Sequence, residues 1–162
     1  MWHRYSQNAL TVVQYSSYLL VGVLYFWIFG AMAHAVGNAL VGLGAVFVPL
    51  MLGGYASALS LIMPRVAAVV AMTCSLPYLI LGFLGLFRGV TPASPFIVIT
   101  SALVMGVSLV AFFWSDGSVW RRLTTTFGKV AIVALAALPP LFATWWFGAF
   151  LAGVSSYLHR AT

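Results

Sequence analysis

The chain has 162 residues, of which 64% are hydrophobic and 5% charged, with a mean hydropathy of +1.11. A soluble domain carries about 25% charged residues, so a water-soluble fold of this size would lack the charge to cover its surface. The composition therefore predicts an all-α polytopic integral membrane protein. Seven basic residues (Arg4, Arg65, Arg88, Arg121, Arg122, Lys129 and Arg160) face one acid, Asp116, for a net charge of +6. They are scattered between apolar segments rather than gathered on one face, which speaks against a nucleic-acid partner.

Five segments without formal charge are long enough to cross a bilayer: 9–31, 39–63, 66–87, 96–114 and 130–152. About 20 residues at about 1.5 Å each cross roughly 30 Å of hydrocarbon. Each backbone must satisfy its own hydrogen bonds there, so each segment is expected to be helical. The whole chain then forms one transmembrane domain of five helices.

The first segment opens with His3 and Arg4 ahead of an apolar run too long for a secretory leader, so it is read as an uncleaved span despite Ala31-Met32-Ala33. Gln7, Asn8, Thr11, Gln14, Ser16 and Ser17 make its start polar. This places the expected crossing nearer Val12, after an interfacial turn. Tyr25, Phe26, Trp27 and Phe29 at its far end read as interface anchors. Residues 32–38 are expected to link the first two helices.

The second and third segments are separated only by Pro64 and Arg65, a tight antiparallel turn. The next connection, 88–95, holds two prolines that break helix on either side. In the longest, 115–129, Ser115-Asp116-Gly117-Ser118 forms a turn able to cap a helix. Val119, Leu123 and Phe127 recur every fourth residue behind it, the pattern of a short amphipathic surface helix.

Orientation follows from the basic residues. With five crossings, Arg4, Arg65, Arg121, Arg122 and Lys129 share the side of the N-terminus, as headgroup anchors, and only Arg88 and Arg160 lie opposite. The rule that cytoplasmic loops are positive puts the N-terminus inside and the C-terminus outside, most simply in a bacterial inner membrane.

Lipid tails are as apolar as leucine, so helix association depends on close approach at small residues. Overlapping pairs four apart mark two candidate seams: Gly53/Ser57 with Gly54/Ala58, and Gly148/Ala152 with Ala149/Gly153. Ala67/Ala71 and Ala102/Gly106 are further pairs. Kinks are expected at Pro49, Pro77, Pro139 and Pro140, each of which removes a backbone donor and crowds the carbonyl four residues back. The affected carbonyls are those of Ala45, Thr73, Leu135 and Ala136.

No span holds a carboxylate, which argues against a proton- or cation-coupled transporter, against acid–base catalysis and against a hard-cation site. The single cysteine, Cys74, excludes an internal disulfide and reads as a small buried hydrophobe. His34 and His159 both fall at the outer face, where an imidazole can hold a haem iron or a (bacterio)chlorophyll magnesium. Their position at helix ends favours ordinary interfacial histidines.

These features point to a non-enzymatic accessory subunit of a larger membrane complex, of electron-transport or photosynthetic type. Its partners would be other integral membrane subunits, lipid or pigment. A small transporter or channel for an uncharged or anionic solute is the alternative. Impermeant labelling of tags on the two termini is expected to reach them from opposite sides of the membrane.

Overall fold

The computed structural model describes residues 2–36, 47, 49–88, 94–115 and 123–161, with side chains described between Tyr5 and Gly148 except those of 29–36, 88, 94 and 146. Among these residues the chain is all-helical. Helix α1 runs over Trp2–Val36 and α2 over Leu50–Ile62, the latter π-wound at Leu50–Ala56 and α-wound at Ser57–Ile62. Helices α3 (Pro64–Arg88), α4 (Ser94–Trp114) and α5 (Thr126–Ala161) complete the set. Among the described residues, four of the five, all but α2, are long and apolar enough to cross a membrane. The protein is thus an all-α membrane bundle. For the second predicted span, 39–63, the part covering residues 39–46 and 48 lies outside the described residues.

Several expectations need correction. There is no interfacial turn before Val12, because α1 is helical from Trp2. Its polar residues do not end the helix; Gln7, Thr11 and Gln14 fall on one face and are buried. The link at 32–38 starts later than expected, since α1 continues to Val36. The amphipathic helix through Leu123 and Phe127 is not continuous. Leu123–Thr125 is non-helical and Phe127 belongs to the first turn of α5, where the Thr125 hydroxyl accepts the Gly128 N–H at 3.2 Å. The rest of that predicted element, with Asp116 and Val119, lies outside the described residues.

Pro64 opens α3 after a single extended residue, Met63, a position where its missing N–H has no cost, whereas Pro49 is itself helical, as is Phe47, and directly precedes the π-wound stretch. Pro77, Pro139 and Pro140 lie inside unbroken helices.

Helices α3 and α4 form the most extensive antiparallel pairing. Against this pair sit α1 and α2, and the common core is Tyr18, Val21, Tyr25, Leu52, Ala56, Ala67, Ala71 and Val104. The α3 pair Ala67/Ala71 is fully buried here, whereas Gly106 of α4 faces open space. Helix α5 packs chiefly on α2, through a smaller cluster of Ala58, Leu61 and Ala136 with Tyr15 and Ile132 beside it.

The closest approach is between α1 and α2. A Cβ at Gly22 would lie 2.6 Å from the Gly53 nitrogen, and one at Gly53 would lie 3.2 Å from the Gly22 Cα. Backbone meets backbone there: Gly22 has no room for a side chain, and a Cβ at Gly53 would require the facing backbone to give by a few tenths of an ångström. Gly22→Ala is expected to destabilise the protein by about 1–3 kcal/mol through forced separation of the helices. Gly106→Ala, with free space around it, is expected to be neutral or stabilising by up to about 1 kcal/mol. Denaturation in detergent micelles measures both.

Candidate functional site

The organising feature of the interior is a polar seam between α1 and α4. On α1, Gln7, Thr11, Gln14, Tyr18, Val21 and Tyr25 are all buried. Their spacing alternates between four and three, the pattern that keeps one face of a helix against a partner. On α4, Ile97, Ser101, Val104, Ser108, Ala111 and Ser115 are buried with the same spacing. Gln7 and Gln14, Tyr18 and Tyr25, and the three serines therefore each recur every seventh residue, and the two stripes meet in antiparallel register.

The contacts follow the register. Tyr25 Oη lies 2.5 Å from Ser101 Oγ and 3.1 Å from Thr100 Oγ1. One heptad closer to the N-terminus of α1, Tyr18 Oη lies 2.7 Å from Ser108 Oγ. Gln14 Nε2 donates to Tyr18 Oη at 3.1 Å and to the Pro64 carbonyl at 2.9 Å, tying the seam to the α2–α3 turn. Gln7 Nε2 donates to the Trp114 carbonyl at 2.7 Å, supplying one of the donors that a helix C-terminus lacks. Gln14 Oε1 is buried and makes no hydrogen bond among the described residues.

Tyr25 is accordingly a core residue and not the interface anchor that its position in the aromatic run suggested. It is fully buried, with its ring 5.3 Å from that of Tyr78. The neighbouring Trp27 is exposed, as are Phe112, Phe113 and Trp114 at the end of α4.

The second feature is a groove. Helices α1, α2 and α5 line a half-open groove of about 140 Å³, walled almost wholly by apolar surface. Its walls include Phe26 of α1, Pro49, Leu50 and Gly54 of α2, and Pro139 and Phe142 of α5. The proline that lines it from α5 also explains a contact elsewhere. Pro139 denies the Leu135 carbonyl its usual donor, and Tyr15 Oη of α1 donates to that carbonyl at 3.2 Å.

The small residues of the α2 seam meet different partners. Gly53 lies against Gly22 of α1, while Gly54 faces Ala143 of α5, whose Cβ would be 2.8 Å from a Cβ placed there. Ser57 and Ala58 are buried. On α5, Gly148 meets no neighbour among the described residues; the side chains of Ala149, Ala152 and Gly153 lie outside them. Among the cationic anchors, Arg65 is exposed at the start of α3 and Lys129 sits in the first turn of α5. Arg4 lies in the first turn of α1 with its side chain outside the described residues, as are Arg121 and Arg122 entirely.

His34 and His159 occupy the last turns of α1 and α5. They are within helices, contrary to the expectation that His34 sits in a connecting loop. Their side chains lie outside the described residues. Among the described residues no group of three or more His, Cys, Asp or Glu side chains comes together to hold a metal ion, and no charged side chain is buried. Cys74 is half-buried on α3.

The seam can fix the rotation and the axial position of α1 against α4. Hydrogen bonds between membrane helices contribute about 0.6 kcal/mol on average and at most about 1.7. Tyr18→Phe and Ser108→Ala are each expected to destabilise the bundle, with a coupling energy inside that range in a double-mutant cycle read by detergent denaturation. No protein-family model, curated protein or solved structure matches the chain.

Proposed function

We propose that the chain is a non-catalytic accessory subunit of a larger integral-membrane complex, held in place through α5. One observation carries this reading. The membrane-crossing portions of α1, α3 and α4 are 33%, 28% and 28% buried within the chain, whereas that of α5 is 6% buried. Leu138, Leu141, Phe142 and Trp145 recur on one helical face and are all exposed. A large apolar face with so few internal contacts is suited to a neighbouring subunit, with lipid or pigment at its edges.

The interior supports the same reading over a transporter. Its polar groups are mostly paired with one another, and its cavity is apolar, so the described residues offer no wet path for a solute. Within the proposal, the complex is of electron-transport or photosynthetic type in a bacterial inner membrane, with the N-terminus cytoplasmic. His34 and His159 are the residues whose imidazoles would ligate the metal of a haem or chlorin.

Gentle extraction from native membranes is expected to yield the chain with stoichiometric partner subunits. Replacing Leu138 and Leu141, both exposed, together by alanine is expected to release those partners while leaving the thermal unfolding of the isolated chain within about 1 °C, as for ordinary surface changes. A stable monomer recovered from native membranes would overturn the subunit reading. The absorption spectrum of the native preparation tests the cofactor separately: a Soret-type or chlorin band lost in the His34→Ala or His159→Ala variant supports axial ligation, and its absence removes it.

A further inference from the structure

The groove between α1, α2 and α5 cannot be closed by the helices that form it. Gly22 and Gly53 already meet backbone to backbone, and Gly54 already meets the Ala143 methyl group, so neither α1 nor α5 can move further onto α2. At one end, the Tyr15 hydroxyl on the Leu135 carbonyl ties α1 to α5, four residues before Leu19 and Pro139 of the groove wall. The lining offers little to swing inward, since three of its residues are glycine and two are proline. An unfilled gap forfeits the dispersion contacts of the atoms beside it, so the surroundings must supply what fills this one.

The position of the groove identifies those surroundings. On α1 it runs from Leu19 to Phe26, inside the apolar crossing stretch Tyr5–Ile28, and on α5 from Pro139 to Ala143, inside Thr126–Trp145. Both portions lie past the middle of their stretch, in the half of the bilayer away from the N-terminus. The mouth of the groove is continuous with the surface that the bilayer covers, because Val23 and Phe142 line it and are also exposed. Seven residue steps along α1 make it about 10 Å long, against about 15 Å for the acyl chains of one leaflet, half the hydrocarbon thickness. None of its lining side chains carries a hydrogen-bonding atom. A headgroup, a quinone ring or a peptide would lose its hydrogen bonds on entering, whereas a hydrocarbon chain has none to lose.

We propose that the groove is a binding site for one phospholipid acyl chain from the leaflet opposite the N-terminus, laid against Leu19, Val23, Leu50 and Phe142. The chain completes the packing of α5, the least buried of the crossing helices. The site does not depend on the subunit reading.

Photolabelling of the full chain in phosphatidylcholine proteoliposomes tests it. The probe is a phosphatidylcholine with a diazirine midway along one acyl chain, and labelled residues are read by mass spectrometry. Like is compared with like. Leu19 and Leu50 line the groove and are half-buried, whereas Leu20 and Leu103 are exposed and lie outside it. Leu103 is beside Val104, which shares a core cluster with Val21, so the depths are comparable. Leu19 and Leu50 are expected to be labelled about tenfold more than Leu20 and Leu103, because a chain held on three sides gains contacts that a chain on a convex surface lacks. Equal or weaker labelling of the groove pair overturns the proposal, and this comparison needs no substitution. Val23→Phe puts a ring into the groove and is expected to lower the Leu50 label about tenfold while leaving Leu103 unchanged, as for a chain displaced from one place only; an unchanged Leu50 label overturns the proposal. An isoprenoid alcohol carrying the same diazirine, mixed in at equal mole fraction, distinguishes the source of the chain. Acyl adducts are expected to predominate at Leu50, and a majority of isoprenoid adducts overturns the assignment to phospholipid.

Discussion

A hydroxyl or amide inside a bilayer has no water to turn to, and the arrangement of this protein depends on how its polar side chains are paired. Most of them find partners on the neighbouring helix. Tyr18 with Ser108 and Tyr25 with Ser101 and Thr100 join α1 to α4 at two levels one heptad apart. Each pair has a definite length and direction, whereas apolar contacts against lipid-like surroundings have neither. Sliding α1 by one residue along α4 would unpair several buried hydroxyls together. The seam thus specifies position as well as contributing stability, and Gln7 and Gln14 extend it to the ends of α4 and of the α2–α3 turn.

The other side of the bundle is held differently. Helix α2 approaches α1 through bare backbone at Gly22 and Gly53, and α5 through Gly54 and Ala143. Leu52, next to these glycines, is fully buried in the core beside Tyr18, Tyr25 and Val104 and sets the rotation of α2. The glycine contacts also leave the apolar groove, where proline in α2 and α5 keeps the walls apart. One side of the protein is therefore fixed by directional hydrogen bonds and the other by close backbone approach and apolar packing.

The bilayer class and the existence of long apolar helices are legible from charge spacing alone, because an uninterrupted apolar run of 20 residues has few other uses. The bounds of α1 and α5 are less legible. Polar Gln7 and Thr11 suggest an end to the helix, yet a buried partner face on α4 accommodates them. The seam itself was present as a period of seven in Ser101, Ser108 and Ser115, and again in Gln7/Gln14 and Tyr18/Tyr25, a signal that a search for small residues four apart does not detect. Such a search names Gly53 and Gly54 but says nothing about their partners; Gly22 has no small residue four positions away. It gives equal weight to Gly148, which meets no neighbour among the described residues. The donor for Leu135 illustrates the same limit: Pro139 identifies the deprived carbonyl, but only the packing of α1 on α5 supplies Tyr15.

Helices α1 and α5 have 35 and 36 residues, which at 1.5 Å each makes them about 52 and 54 Å long. A hydrocarbon slab is about 30 Å thick, and membrane helices incline by at most about 40° from its normal. No permitted inclination accommodates either rod within the slab, so each stands proud of it as a rigid post. Force or contact applied to such a post from the aqueous side is transmitted along an unbroken helix to the depth of Gly22 or Pro139, where the two rods border the same void.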